Sequence, residues 1–393
     1  MAGAVRRASL AAALGLGMDP SKKCASAATG LTDDLIVEIL SRLPAKSVCR
    51  FKCVSRHWYD LITGPEHRKK IPQTLSGFFY PSCTVNDEDD LPRFPNFVDI
   101  MRGENLDSSL SFLTGYSLVI PDTCCNGLIF CFCWKVCPSD EADYVVCNPA
   151  TEKWVVLPDS GHGSEHLELE YRFGFDPAIS PHFNVFELIT EDEDYGYIDG
   201  VNIYSSETGT WSPKGNGWGN EHQPVHSRGG FFNGMLHLLT SDFKILTVDR
   251  EGKTWRIIPL LEAMRFSCIF RGPLGFIGQS HGLLYYINMR DSDKLSVWIL
   301  EDYGSDEWIL KYSISTSRLF RQKDLMFQRD FALVAIHPEC NLIYFVWRCE
   351  DMLISYDMDC GKVSVICSLK ERSYRMMFLP YVPFHLDTLA DQV

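Results

Sequence analysis

The 32 residues from 31 to 62 read LTDDLIVEILSRLPAKSVCRFKCVSRHWYDLI, and their pattern sets them apart from the rest of the chain. Thr32 is a favourable helix N-cap, and Asp33 and Asp34 place negative charge in the first turn, where the helix dipole stabilises it. Apolar residues then recur at helical spacing, which predicts a first helix with one apolar stripe. The stripe consists of Leu35, Ile36, Ile39, Leu40 and Leu43.

Two further short helices are predicted in the same stretch. Pro44 ends the first helix and can open the second, and Ser55 can cap the third. Domains below about 40 residues usually need a staple or a partner. We therefore expect that this stretch cannot bury a core of its own and that its apolar surface binds a partner. The apolar residues on the second and third helices are Val48, Phe51, Trp58, Leu61 and Ile62.

Three short motifs in this stretch resemble those of a known family, the F-box. The resemblance implies three helices that dock on the Skp-type adaptor of a cullin–RING ubiquitin ligase, while the rest of the chain captures a substrate. Many F-boxes have Pro where this chain has Thr32, a departure that preserves a good helix start. The alternative is a structural helical hairpin of another α domain. The motifs are Leu31-x-Asp33-x-Leu35, Ile39-Leu40-x-x-Leu43-Pro44 and Val54-Ser55-Arg56-x-Trp58.

The resemblance also implies which residues bind the adaptor. Residues 40–71 hold eight Lys or Arg against two acids, so this segment is either a solvated helix face or the complement of an acidic adaptor surface. No substrate-binding residue is predicted, because a fold-level likeness does not reveal that specificity. The implied adaptor-binding residues are Leu31, Leu35, Ile36, Ile39, Leu40, Leu43, Pro44, Val48, Phe51, Val54, Trp58 and Leu61.

The charge of the chain is unevenly distributed. The length of 393 residues suggests about two domains. The net charge is −14; since residues 1–39 balance and residues 40–71 carry +6, residues 72–393 carry −20. Proteins bind nucleic acid by neutralising phosphates with Lys and Arg. We therefore expect no nucleic-acid partner for so acidic a body.

Fifteen cysteines raise the question of a metal or disulfide framework. No C-x-x-C pair occurs, and Cys131-x-Cys133 is spaced to place both thiols on one face of a strand. Buried free cysteine behaves as a small hydrophobe. Packing is therefore favoured over zinc, and no metal or cofactor is expected. The absence of an Asn-x-Ser/Thr sequon agrees with a reduced compartment, cytoplasmic, nuclear or both.

The first thirty residues are rich in Ala and contain Arg6-Arg7 ahead of an apolar run. Because Gly15 and Gly17 interrupt that run, a disordered leader is favoured over a signal or transit peptide. Met18 is an alternative start of the protein. No stretch of about 18 apolar residues occurs, so no membrane-spanning segment is expected.

From residue 72 onward the apolar pattern changes to period 2, and a unit repeats. An X-Gly turn precedes one strand in the first, third and fourth units, and an Asp/Asn-x-x-Thr/Gly-x-x-Trp type of turn precedes the last strand. A repeat of 44 to 57 residues with about four short strands is typical of a β-propeller, in which each Trp packs between blades. The alternative is a series of hairpins in a β-sandwich. The repeated positions are Trp154, Trp211, Trp255 and Trp308, with Val365 expected in place of Trp in a fifth unit.

This second region, about residues 100–370, resembles the kelch-like F-box-associated domain that follows many plant-type F-boxes. It departs from true kelch repeats, because its Gly229-Gly230 pair precedes a strand. Five units are visible, and residues 75–120 can combine with 373–384 to close a sixth, which would remove exposed strand edges. The expected fold is an α+β multidomain chain: a disordered leader (1–30), a three-helix F-box (31–71), a linker and first strand (72–100), an all-β propeller of about six blades (101–384) and a tail (385–393).

One stretch has a catalytic pattern. Gly278-Gln279-Ser280-His281-Gly282 fits the G-x-S-x-G nucleophile elbow, which requires a strand-to-helix turn. The β-favouring residues 283–287 follow instead, so a blade-opening turn and no catalytic residue are predicted. The acidic runs at 87–90 and 191–194 lack the ligand spacing of a calcium loop and are predicted to be solvated loops.

Three classes of function remain open from the sequence. The favoured one is a non-catalytic substrate-recognition subunit that binds a Skp-type adaptor, through it cullin and a RING protein, and an unidentified protein substrate. The second is a hydrolase that uses Ser280. The third is a scaffold whose F-box regulates its own turnover and delivers no substrate.

Overall fold

The chain is described here from a computed structural model. It describes residues 31–393 except 44–46, 49–50, 52, 64–66, 68–69, 71–74, 82–94, 101–108, 138–140, 162–169, 191–196, 220–228, 266, 269–271, 274, 292, 321–329, 370–376, 385–388 and 390–393. The predicted leader, Pro44, and the acidic runs at 87–90 and 191–194 lie outside the described residues.

The N-terminal part is helical, as predicted. Helix α1 spans Asp33–Ser41 and helix α2 spans Arg56–Thr63. Between them Ser47, Val48 and Phe51 are also helical.

The two helix starts differ in how they are capped. The Ser55 hydroxyl accepts a hydrogen bond from the N–H of Trp58 at 3.2 Å. This is the cap predicted for the third helix of the stretch, which is α2 in the structure. Thr32 has the extended backbone of an N-cap, but its side chain makes no capping bond. Helix α1 therefore begins on the Thr32 carbonyl alone, which accepts the N–H of Ile36 at 3.0 Å.

The helices share a small apolar core. Six residues are buried in it, and Leu43, Phe51 and Trp58 pack against them partly buried. The expectation that this stretch buries no core of its own was wrong, because one side of α1 packs against α2 and the helical turn. The buried residues are Ile36, Val37, Leu40, Val48, Leu61 and Ile62.

The strands, numbered β1 to β25 along the chain, form six large antiparallel sheets, which are the blades. Blade 1 contains β3 (Tyr116–Cys125), β4 (Leu128–Lys135), β5 (Ala142–Asn148) and β6 (Lys153–Val156). Blade 2 contains β7 (Glu170–Gly174), β8 (Asn184–Thr190), β9 (Ile198–Ser205) and β10 (Thr210–Gly215). Blade 3 contains β11 (Gly230–Phe232), β12 (Met235–Leu239), β13 (Lys244–Asp249) and β14 (Trp255–Pro259).

Blades 4 and 5 repeat this order. Blade 4 contains β17 (Gly275–Ser280), β18 (Leu283–Asp291), β19 (Lys294–Leu300) and β20 (Trp308–Ser315). Blade 5 contains β21 (Phe331–Ile336), β22 (Leu342–Trp347), β23 (Met352–Asp357) and β24 (Lys362–Ser368). Smaller elements between blades are a 3₁₀ turn (Glu262–Met264), the hairpin β15 (Ser267–Cys268) with β16 (Gly272–Pro273), and helix α3 (Thr316–Phe320).

Blade 6 is built from both ends of the propeller sequence. Strand β1 (Gly77–Pro81) pairs with β2 (Pro95–Asp99) on one side and with β25 (Leu379–Tyr381) on the other. Its described part has three strands, with β25 innermost. The predicted closure of a sixth blade by the two chain segments is confirmed.

The innermost strands close a ring. Strands β3, β7, β11, β17, β21 and β25 each contact the next, and β25 contacts β3. An apolar cluster fills each of the six interfaces between neighbouring blades. The chain therefore folds into a six-bladed propeller and not the alternative β-sandwich. These clusters bury a large apolar surface between the blades, which favours closure of the ring.

The four predicted tryptophans occupy equivalent places. Each stands at the first or second position of an outermost strand and packs on the cluster shared with the preceding blade. The indole N–H groups of Trp211 and Trp308 donate to the main-chain carbonyls of Pro158 and Pro259, at 2.8 and 3.2 Å, where the preceding outer strand ends. These two bonds tie β10 to the end of β6 and β20 to the end of β14. The four residues are Trp154 in β6, Trp211 in β10, Trp255 in β14 and Trp308 in β20.

The fifth unit requires a correction. Val363 pairs with Tyr356 in the way that Trp211 pairs with Tyr204, so Val363 and not Val365 takes the Trp position. Val363 packs on the apolar cluster between blades 4 and 5, whereas Val365 is 61% exposed. Val363 follows Asp357, which opens the turn, by the six residues that separate each Trp from the start of its own turn; Val365 does not.

This register predicts unequal costs of substitution. Trp308→Ala is expected to lower the free energy of unfolding by about 3–5 kcal/mol, because it leaves a cavity between blades and removes the bond to Pro259. Val365→Ala is expected to change it by less than about 0.5 kcal/mol. Urea unfolding of both variants measures the difference; equal losses would contradict the inter-blade role of the tryptophans.

No helix within the described part of the chain is long and apolar enough to span a membrane.

Candidate functional site

The described F-box region exposes apolar side chains along one side of α1. Leu31, Leu35 and Ile39 follow one another at intervals of four residues and are 46, 49 and 46% exposed. Val54, just before α2, is 57% exposed. A hydrogen bond of 2.9 Å between His57 Nε2 and Asp33 Oδ1 holds the start of α2 beside the start of α1. These four apolar residues are called the exposed F-box face below.

The rest of the predicted adaptor-binding set lies elsewhere. Leu43, Phe51 and Trp58 are partly buried, and Pro44 is outside the described residues. Val37, absent from the predicted set, is 1% exposed and belongs to the core. The predicted stripe thus divides into a core side and a solvent side. The buried members are Ile36, Leu40, Val48 and Leu61.

Charged side chains surround this face. Arg42 pairs with Glu38 and Arg56 with Asp60, each one helical turn apart. Both arginine side chains are well exposed, so the pairs contribute little to stability and remain available to an acidic partner. The other basic residues of this segment are mostly outside the described residues.

Ser280 does not have the geometry of a nucleophile elbow. It ends β17, and His281 and Gly282, both with positive φ, turn the chain directly into β18. Its side chain is buried and donates to the carbonyl of His337 at 2.7 Å. The motif therefore lies in a strand–turn–strand hairpin, as predicted, and its hydroxyl serves to join blades 4 and 5.

Two histidines are buried in the propeller. Burial lowers the pKa of His237 to about 4, although its ring nitrogens lie 3.0 Å from the Met235 carbonyl and 2.6 Å from the Tyr303 hydroxyl. Burial, and secondly the charge of His281, lower the pKa of His337 to about 4. Both imidazoles are therefore neutral at pH 7, where they serve as packed hydrogen-bonding groups.

These pKa values predict acid sensitivity. In the unfolded chain histidine has a pKa of about 6.5, so between about pH 6.5 and 4 the unfolded state binds protons that the folded state does not. As the pH is lowered through this window, the free energy of unfolding is expected to decrease. Each of the two histidines contributes up to about 1.4 kcal/mol per pH unit. Urea unfolding at several pH values measures this slope. His337→Asn should make it shallower; an unchanged slope would contradict the assignment.

Three cysteines of blade 1 are packing groups. Cys131, Cys133 and Cys147 are buried in the apolar cluster between blades 6 and 1. Burial holds the pKa of Cys131 well above its usual value and raises that of Cys125 to about 12. Such thiols are protonated and inert. Among the described residues, no group of three His, Cys, Asp or Glu side chains is placed to hold a metal ion.

Comparison with known proteins adds two matched regions. Residues 105–379 match the family described as F-box protein At3g26010-like, beta-propeller, and residues 29–70 match the F-box domain. F-box protein At5g07610 of Arabidopsis thaliana is 29% identical over 73% of this chain and 71% of its own length. F-box protein At2g15640 of the same plant is 25% identical over 75% of this chain and 78% of its own length. F-box/kelch-repeat protein At4g19930 of the same plant is 25% identical over 70% of this chain and 67% of its own length.

Proposed function

The chain belongs to the F-box protein At3g26010-like β-propeller family, and we propose that it is the substrate-recognition subunit of a Skp–cullin–F-box ubiquitin ligase. In this proposal the exposed F-box face docks on a Skp-type adaptor, through which cullin and a RING protein are recruited. The propeller captures a protein for ubiquitination. We place this action in the cytoplasm, the nucleus or both, where cysteines stay reduced.

The observation that carries the proposal is the exposed F-box face. Leu31, just before α1, and Leu35 and Ile39 on α1 are each about half exposed to solvent, although the same helix buries Ile36 and Leu40. A two-sided apolar helix is unfavourable in water unless its second side meets a partner. An amphipathic helix docked into an apolar groove is a common mode of protein recognition.

The propeller contributes position and not chemistry in this proposal. Ser280, the one candidate nucleophile that the sequence indicates, is buried and hydrogen-bonded to a main-chain carbonyl. Holding a substrate lysine near a donor raises its effective concentration and accelerates transfer without any catalytic group. Each blade offers connecting loops at the two ends of the ring, and loops of this kind carry most binding sites.

Affinity capture with the proteasome inhibited tests the proposal. The wild-type chain is expected to co-purify with the adaptor and with ubiquitinated proteins. The variant with both Leu35→Ala and Ile39→Ala is expected to capture neither. Capture of adaptor without any accumulated protein would contradict substrate delivery and support the scaffold. Ubiquitinated proteins captured equally by both chains would contradict docking through the exposed F-box face.

A further inference from the structure

Four partly exposed aromatic side chains form a continuous row between blades 1 and 2. Trp134 and Phe132 of β4 meet at 5.6 Å between ring centroids, Phe132 meets Tyr144 of β5 at 5.3 Å, and Tyr144 meets Tyr171 of β7 at 4.4 Å. None of the four is fully buried. They are called the aromatic row below.

The aromatic row rests on a rigid base. Phe130, 1% exposed, lies under it with its ring parallel to that of Tyr144 at 5.4 Å and 5.9 Å from that of Tyr171. Phe132 and Tyr144 are directly opposite in the β4–β5 pairing, which fixes their relative positions. The rings are therefore held in place before any ligand arrives, so little side-chain entropy is lost on binding.

Carboxylates stand at the inner side of the row. Glu187 is directly opposite Tyr171 in the β7–β8 pairing and is fully buried. It accepts hydrogen bonds from Asn202 Nδ2 at 2.8 Å, Ser160 Oγ at 2.9 Å and Tyr171 Oη at 3.3 Å. Asp122 is the bulged residue of β3. Burial, and then the charges of Asp122 and Glu187, raise the pKa of Tyr144.

The neighbouring cations are already paired with acids. Lys135 Nζ lies 3.0 Å from Glu141 and 3.3 Å from Asp143. Arg172 lies 3.1 Å from Glu170. Both cations therefore have acidic partners of their own.

The sequence that joins the strands at this end of blades 1 and 2 is strongly acidic. Strands alternate in direction, so the connections β4–β5, β6–β7 and β8–β9 share one end of the ring. The described residues within 136–143, 157–170 and 190–197 include Glu141, Asp143, Asp159 and Glu170 and no Lys or Arg. Such an excess of negative charge attracts cations.

We propose that the aromatic row is a docking site for a segment of a protein substrate that carries Lys or Arg. The ring faces attract a cationic side chain that lies over them, and the nearby carboxylates strengthen that attraction. The long aliphatic stems of Lys and Arg also cover apolar surface. The inference deepens the proposed function, on which it rests, by giving the chemical class of the substrate segment.

The test uses the full chain bound to its adaptor and a fluorescent peptide of alternating Lys, Arg and Ser. Fluorescence anisotropy is expected to show binding that weakens with salt, and no binding of a peptide in which Glu and Asp replace Lys and Arg. Trp134→Ala should weaken binding roughly 2- to 30-fold, and Trp134→Phe should restore most of it. Asp122→Asn should weaken binding at low salt more than at high salt.

Trp347→Ala is the matched control. Trp347 ends β22, which is the second strand of blade 5, just as β4 is the second strand of blade 1. Like Trp134, it is partly exposed and contacts a phenylalanine: its ring centroid lies 5.5 Å from that of Phe320. Equal effects of the Trp134 and Trp347 substitutions, equal binding of the acidic peptide, or tighter binding of spermine than of the peptide would overturn the inference. Adaptor binding in the same samples is measured separately, so its loss would count against the proposed function alone.

Discussion

Replacing Leu35 and Ile39 together by Ala is expected to weaken adaptor binding about 1,000-fold or more without unfolding the protein. Burial of each side chain in an adaptor groove contributes about 2–5 kcal/mol that truncation removes. Both side chains are about half exposed in the free chain, so their truncation leaves the F-box core unchanged. Titration of purified adaptor measures the affinity, and thermal unfolding measures the stability.

Two controls separate docking from folding. Ile309→Ala with Leu310→Ala removes apolar side chains that are 44 and 47% exposed on β20, and should leave adaptor affinity unchanged. Leu40→Ala truncates a fully buried residue of α1 and should lower F-box stability by about 2–5 kcal/mol. If the Leu35 and Ile39 pair lost no more affinity than the β20 pair, the exposed F-box face would not be the docking surface.

Gly127→Ala is expected to destabilise the propeller by about 3–5 kcal/mol. Gly127 has a φ of +88°, which an L side chain adopts only with strain. An added Cβ would also lie 2.6 Å from the N of Phe384 and 2.6 Å from the O of Val382, both main-chain atoms. The segment after β25 would have to move, although a hydrogen bond from Asn148 Nδ2 to the Phe384 carbonyl, at 2.8 Å, fixes it there.

Gly282→Ala is the control for backbone strain alone. Gly282 occupies the same blade-opening turn in blade 4 with a φ of +76°, but an added Cβ would meet nothing within 4 Å. Its cost should be about 1–2 kcal/mol. Urea unfolding of both variants gives the difference, and a Gly127 cost no larger than that of Gly282 would show that the contact with residues 382–384 does not stabilise the ring.

Much of the propeller was predictable because its signals are local. The spacing of six residues from the residue that opens the turn to Trp154, Trp211, Trp255 and Trp308 marks a defined turn followed by a defined position, and the structure confirms that position. Val365 was misplaced because several apolar residues follow the same turn, and without an aromatic ring only the pairing register identifies Val363. Blade closure was predictable from the five visible repeats and the extra strands at both ends.

The division of the F-box stripe could not be predicted from the pattern. Leu35 and Ile36 are adjacent and equally apolar, yet one is 49% exposed and the other 3%. The periodicity of the sequence indicates that the apolar stripe of α1 is wide. Which half of that stripe is buried depends on where the other F-box helices pack against α1. The aromatic row escaped detection for a related reason: Tyr171 reaches Tyr144 only because β7 and β5 belong to adjacent blades.

The place of β25 in blade 6 has a consequence for biosynthesis. A ribosome adds about 5–20 residues per second, so β1 waits roughly 15–60 s after its own synthesis for the strand that pairs with its inner edge. During that interval β1 presents unsatisfied hydrogen-bonding groups, a state in which nascent chains bind chaperones or aggregate. A nonsense mutation just before Leu379 would remove this strand and make that interval permanent. Such an allele should behave as a null, because the truncated product is cleared before it can assemble.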